Sequence, residues 1–205
     1  APNLPGRGED LRPRREITLG DYVERIAQVV VEQPSPVILI GHSHAGATIS
    51  MVAELHPNKI EALVYVGAFL LPSGESISDF VDRGERSLVR ENMVSTPQGD
   101  LIEVKEEVLR EGLFSDCTEI DFSWAKSRLV PEPANPRTNP VTVTTQKFGS
   151  VRRFYVECLL DQAIPLSSQR LMCSLSPCER VFTMSTSHSP FISAPEQLAR
   201  YLKSI

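Results

Sequence analysis

Val37-Ile38-Leu39-Ile40-Gly41-His42-Ser43-His44-Ala45-Gly46 is the stretch that decides how this chain folds. Its first four residues are β-branched or aliphatic with no polar alternation, the pattern of a strand buried on both faces, as in a parallel sheet. Gly41 ends the run. From His44 to Leu55 the spacing turns helical, opening on the small residues Ala45, Gly46 and Ala47, and His56-Pro57-Asn58 closes it. Ile60 to Phe69 reads as a second buried strand. Strand, helix and strand with short connections form a βαβ unit, which predicts an α/β fold with a right-handed crossover.

The junction also carries chemistry. Small residues sit two before and two after Ser43, the pattern of a nucleophile elbow with Ala45 in place of the usual second glycine. A serine at a strained strand-to-helix turn needs neighbours without bulk, and the turn lifts its hydroxyl above the carboxyl edge of the sheet. The amide N–H of His44, at the start of the helix, can point at a developing oxyanion. A G-x-S-x-[GA] motif alone is weak; a buried strand before it and a helix after it make it informative.

Outward from this core, the first ten residues are rich in proline and glycine and read as a loop. Thr18 is a candidate N-cap, with Asp21 three residues on in a near capping-box arrangement. Leu19, Tyr22, Val23, Ile26, Val29 and Val30 follow at helical spacing, and Pro34 and Pro36 stop the helix near Gln33. Residues 71–150 break the α/β rhythm. There Leu101 to Leu113 reads as a charged helix and Phe122 to Leu129 as a second short one. Pro131, Pro133, Pro136 and Pro140 then exclude regular structure. A stretch this long between two strands of one sheet reads as an insert, a cap over the sheet edge. The rhythm resumes with a strand at Val151 to Cys158, a helix after Pro165, a strand at Glu179 to Met184 and a last helix from Pro195 to Lys203. The expected organisation is residues 1–70 as the N-terminal part of the core, 71–150 as the cap and 151–205 as its C-terminal part.

Composition narrows the classes. The 205 residues suit one domain, or one domain with an insert, and 41% apolar with 23% charged residues suits a packed core. A net charge of −5 speaks against a nucleic-acid partner, which needs a basic face. No apolar run approaches the ~20 residues that span a bilayer, and the N-terminus shows no signal-peptide apolar region. Cys117, Cys158, Cys173 and Cys178 match no zinc spacing. They read as free thiols in a reducing, cytoplasmic setting, with a Cys173–Cys178 bridge left open. No metal and no membrane partner are expected, and a homodimer is among the states the sequence allows.

A serine hydroxyl needs a base to take its proton. In the Ser, acid, His order of elbow enzymes, His188 is the one histidine that lies far beyond the serine, in a loop after the last strand. Asp161 is the single carboxylate in the loop after the preceding strand, where it would hold the imidazole tautomer. Three strand ends thus offer Ser43, Asp161 and His188 in the right order. His42, His44 and His56 read as structural, His42 flanking the elbow and His56 ending a helix, although His42 is also a candidate pocket residue and the His44 side chain is free to face the pocket while its amide is the part expected to matter. Leu113, Phe122 and Trp124 are candidates for binding substrate, and Phe80 and Phe114 for shaping the pocket; each equally suits packing of the cap onto the body.

Pro2-Asn3-Leu4-Pro5-Gly6, GHSHAG, LLDQAIPLSSQR and SHSPFISAPEQLA together resemble the plant-type methylesterase and hydroxynitrile lyase family, with its bacterial carboxylesterase relatives, within the α/β-hydrolase superfamily. The resemblance covers nearly the whole chain and is weakest in the insert. It implies Ser43 as nucleophile, Asp161 as acid, His188 as base, a cap over an acyl pocket, and a cofactor-free carboxylesterase acting on a small-molecule ester. It also implies two departures. In the family, the segment like APNLPGRG follows a strand and helix carrying a His-Gly motif that supplies a second oxyanion donor. This chain starts after that point, so it is expected to be a fragment lacking roughly 30–40 residues. One strand absent beside Ile40 would expose an apolar edge. The second departure is Ser189, where several lyases of the family carry a lysine that assists cyanide departure. That favours an esterase over the alternatives, a cyanohydrin-cleaving lyase on the same triad or a non-catalytic ligand-binding member.

Overall fold

A computed structural model describes residues 1–8, 10 and 12–205. Thr18 caps the first helix, α1 (Leu19–Val31): its hydroxyl accepts from the Asp21 amide, and the Asp21 carboxylate accepts from the Thr18 amide at 2.8 Å. The capping box expected from the sequence is therefore closed. β1 (Val37–Ser43), α2 (Ala45–Leu55) and β2 (Ile60–Ala68) form the βαβ unit. After the long excursion come β6 (Arg152–Cys158), α8 (Leu166–Leu175), β7 (Arg180–Met184), α9 (Pro190–Ser193) and α10 (Pro195–Leu202). All four of these strands pair in parallel, in the order β1-β2-β6-β7.

Alternation along the strands sends side chains to two helical layers. Leu63, Tyr65 and Tyr155 join α1, α2 and Met172 of α8 on one face. Ala62, Val64, Val66, Phe154, Val156, Phe182 and Met184 meet Leu198 of α10 on the other. β1 departs from the expectation of burial on both faces. Val37 and Leu39 pack on the α1/α2 layer, but Ile38 and Ile40 are 40% and 46% exposed. The reason is that α10 covers the second face only over β2, β6 and β7, and β1 is the edge. Among the described residues no helix is long and apolar enough to cross a membrane, and all four cysteines are free thiols, so Cys173 and Cys178 are unbridged.

Between β2 and β6 lie α3 (Ile77–Arg83), α4 (Leu88–Glu91), β3 (Met93–Ser95), β4 (Leu101–Val104), α5 (Glu106–Leu113), α6 (Glu119–Lys126), β5 (Glu132–Pro133) and α7 (Asn135–Thr138). β3, β4 and β5 make a separate antiparallel sheet. Three expectations change here. Leu101 to Val104 is a strand rather than helix. A turn at Thr96 to Gly99 (Gly99 at φ +73°) folds it back onto Met93 to Ser95, and strand pairing overrides the helical spacing. The second helix begins at Glu119, not Phe122, because Thr118 caps it by accepting from the Asp121 amide. The proline cluster holds some regular structure. Glu132–Pro133 adds a two-residue edge to β4, where a missing N–H is tolerated, and Pro136 sits in the first turn of α7, where none is needed.

Residues 141–150 return to the main core. Val141 is fully buried, and the Glu54 carboxylate of α2 accepts from the amides of Thr144 (2.7 Å) and Phe148 (3.2 Å) and from the Thr144 hydroxyl. Burial raises the Glu54 pKa, but these hydrogen bonds outweigh it and leave the group below its ordinary value.

The first turn of α2 packs against the backbone just past the end of β2. A Cβ on Gly46 would lie 2.4 Å from the Phe69 carbonyl oxygen and 2.9 Å from two further backbone atoms. Backbone cannot yield as a side chain can, so Gly46→Ala is expected to destabilise the fold by about 1–3 kcal/mol or more. Chemical denaturation of the two proteins checks this; equal midpoints would show that α2 is free to shift.

Candidate active site

Ser43 ends β1 at φ +54°, the one non-glycine residue with positive φ among those described. That conformation stores about 1–3 kcal/mol of strain and persists only where the surroundings hold it. Here the Ser43 carbonyl accepts from the Phe69 amide at 3.0 Å, and the β1–β2 register slips so that Ser43 pairs with Ala68. Across the elbow, a Cβ on Gly41 would meet the Ala45 carbonyl oxygen at 3.0 Å. Ala45 is tolerated because the position that abuts β2 is Gly46, one residue later.

The loop between β7 and α9 brings His188 to the same edge. Its Nε2 lies 3.0 Å from Ser43 Oγ, and its Nδ1 lies 2.8 Å from Asp161 Oδ2. His188 is 4% exposed and the Asp161 side chain fully buried. An ionised carboxylate only accepts hydrogen bonds, so Nδ1 carries the proton and the bare Nε2 accepts from the serine hydroxyl. Asp161 is fixed in turn: Oδ1 accepts from the amides of Ala163 (2.7 Å) and Ile164 (2.9 Å). The sequence singled out these three residues separately, and the fold brings them into one hydrogen-bonded line.

His44 stands at the N-cap of α2. Among the described residues no backbone acceptor takes its amide N–H, which starts the helix at its positive end beside Ser43. The His42 ring is engaged elsewhere. Its Nε2–H donates to the His188 carbonyl at 2.7 Å, and its ring lies 4.5 Å from that of His188 and edge-on to Phe191 at 4.8 Å. Burial, then the neighbouring His188, holds its pKa well below the usual histidine value, so His42 is neutral at neutral pH. It props the His188 loop.

The other pocket candidates divide. Leu113 and Phe122 pack with Phe114, Cys117 and Ala125 in a small cluster that reaches Ile192 of α9, just past His188. Trp124 does not join them. It is 53% exposed with the Arg128 guanidinium 4.3 Å over its ring. Phe122 and Ala125 share one face of α6, and helical periodicity turns Trp124 outward. Phe80 belongs to the main core, edge-on to Phe69.

Gly67, Asp116 and Glu132 gave no sequence signal, whereas Gln169 lies in the LLDQAIPLSSQR segment that carries the resemblance. Gly67, at φ +45°, backs the Asp161–His188 pair: a Cβ there would lie 3.3 Å from Asp161 Oδ2 and 3.9 Å from His188 Nδ1. Gln169 of α8 donates to the carbonyls of Ile164 (2.8 Å) and Cys158 (3.1 Å), framing the Asp161 loop. Asp116 accepts from the amide of Ser187 at 3.0 Å and from its hydroxyl, one residue before His188. Glu132 of β5 lies 3.4 Å from His44 Nε2 and 3.1 Å from Arg7 Nη2. Burial raises the Glu132 pKa, but His44, Arg7 and Arg137 pull it down to about 2. Among the described residues no three His, Cys, Asp or Glu side chains converge as a metal site.

Residues 1–201 match the family described as "Alpha/beta hydrolase family". The chain is 31% identical to "Putative methylesterase 11, chloroplastic" of Arabidopsis thaliana, over 92% of this chain and 51% of that one. It is also 31% identical to "Pyrethroid hydrolase" of Sphingobium wenxiniae, over 97% of this chain and 74% of the relative. The crystal structure of a pyrethroid hydrolase from Sphingobium faniae superposes with a TM-score of 0.87 at 26% identity, covering 100% of this chain and 84% of that one. The chain spans about half the length of the chloroplastic methylesterases it matches, 51%, 40% and 49% of three of them.

Proposed function

The chain belongs to the α/β-hydrolase family, and on that premise we propose that it is a carboxylesterase-type serine hydrolase acting on a small or medium apolar ester. The observation that carries the reading is the Ser43–His188–Asp161 hydrogen-bonded line, at 3.0 and 2.8 Å, on a strained elbow. His188 takes the Ser43 proton as the hydroxyl attacks the ester carbonyl. The oxyanion that forms is received by the His44 amide, and collapse expels the alcohol, protonated by His188. Water, activated by the same imidazole, then releases the acid from Ser43. The relatives named as a methylesterase and a pyrethroid hydrolase support ester chemistry without fixing the acyl or alcohol group. Residues 71–150, which lead Leu113 and Phe122 toward Ile192, serve as the cap over the acyl pocket.

The test is fluorophosphonate labelling of the chain with peptide mapping, beside turnover of p-nitrophenyl acetate and butyrate and of mandelonitrile. A label on Ser43 with ester turnover supports the reading. Mandelonitrile cleavage without ester turnover would replace it with lyase chemistry on the same three residues. An intact fold that takes no label and turns over neither substrate class would make the chain a binding member of the family.

A further inference from the structure

We propose that Glu132 is a positioning residue for the oxyanion donor, holding the His44 imidazole and through it the first turn of α2. The proposal rests on the reading of Ser43 as nucleophile and of the His44 amide as donor.

An N-cap side chain ordinarily turns back to its own helix. His44 does not: its side chain makes no capping bond, and the ring reaches out to Glu132. The peptide between Ser43 and His44 leaves a residue in the left-handed region, which local backbone preference alone does not hold. Its plane sets where the His44 N–H points, so an anchor on the His44 side chain acts on the donor itself.

Glu132 is built to be that anchor. Its backbone is tied to β4 by pairing with Ile102, and the Ala134 amide just beyond donates to the Asp100 carbonyl at 2.9 Å. One carboxylate oxygen faces His44 and the other takes Arg7, so the side chain is held from two directions. The groups facing it are the His44 imidazole, the Arg7 guanidinium and, further off, the Arg137 guanidinium. The Tyr22 ring lies 6.3 Å from the His44 ring between centroids, and its phenol is near enough to Glu132 and Arg7 to feel both charges. A strand of the 71–150 segment therefore reaches the reacting centre through one side chain of the elbow.

Glu132→Gln keeps size and shape but removes the charge. Expected is a fall of about 10–100-fold in kcat for p-nitrophenyl butyrate and in the rate of phosphonylation of Ser43. That is less than the ~100–1,000-fold that losing an oxyanion donor outright costs. KM should stay within about twofold and the thermal midpoint should change little. His44→Asn keeps the amide and the Arg7–Glu132 pair but removes the imidazole, and should show the same split; it serves alone if Glu132→Gln does not fold. The double variant should fall no further than either single one, because both cut the same link. Additive losses, a raised KM with unchanged kcat, or an unaltered phosphonylation rate would each overturn the proposal. Failure of the underlying reading shows differently, as a parent protein that takes no label on Ser43, and it would remove this proposal with it.

Discussion

Ser43→Ala will retain the fold and lose turnover by about 10⁵–10⁶-fold, the scale seen when a triad enzyme is deprived of its nucleophile. Among the described residues the hydroxyl makes one hydrogen bond, to His188 Nε2. Removing it leaves the His188–Asp161 pair, the Phe69–Ser43 backbone bond and the helix start untouched. Alanine meets the same steric cost at φ +54° as serine does, so stability should move by a few tenths of a kcal/mol. What disappears is the atom that bonds to the acyl group. Residual hydrolysis above the water rate should persist, carried by binding and by the His44 amide alone. The variant is checked by the loss of the pre-steady-state burst with p-nitrophenyl esters and of fluorophosphonate incorporation. Turnover within tenfold of the parent would mean that another group attacks the carbonyl.

Asp161→Asn is expected to cost about 10⁴-fold in kcat, the magnitude known for the same change in a Ser-His-Asp protease, with a much smaller loss of stability. The surroundings dictate how the amide must sit. Two backbone N–H groups, from Ala163 and Ile164, point at Oδ1 and demand an acceptor there. The asparagine oxygen therefore takes that place and its NH₂ faces His188 Nδ1. A donor at that position forces the proton of His188 onto Nε2, which then offers a hydrogen to Ser43 instead of a lone pair. The base is lost although every heavy atom keeps its place. An NMR measurement of the imidazole tautomer, alongside kcat, separates this from simple collapse of the loop. An Nδ1–H tautomer retained in a slow variant would contradict the argument.

What the sequence reveals of this molecule follows physical range. The capping box at Thr18 and Asp21 and the apolar run read from Ile60 to Phe69, which forms the strand Ile60–Ala68, are local patterns, as is the strand-to-helix turn at Ser43. Asp161 and His188 were legible because each is the chemically suitable residue in a loop that ends a strand. Burial was misread at Ile38 and Ile40, since an aliphatic run shows that a strand is apolar but not whether a helix lies over it. Leu101 to Val104 was misread because four residues satisfy either period, and a turn around Gly99 decides between them. Gly67, Asp116 and Glu132 left no trace, because each acts on a partner far along the chain. Asp116 and Ser187, for example, meet only when the insert has folded back over the edge of the sheet.

The parallel pairing of β2 with β6 has a consequence for how the chain acquires its chemistry in time. Ala62 pairs with Arg152 and Val66 with Val156, so about ninety residues of loop must close before this central ladder exists. Folds dominated by such distant contacts are slow to form, because entropy is lost before the contacts repay it. The elbow, formed by neighbouring β1, α2 and β2, can assemble early from local contacts, whereas Asp161 and His188 arrive only with β6 and β7. During refolding, helical signal should therefore return well before the serine becomes reactive, and the reactivity of Ser43 toward a fluorophosphonate serves as a clock for the last long-range step.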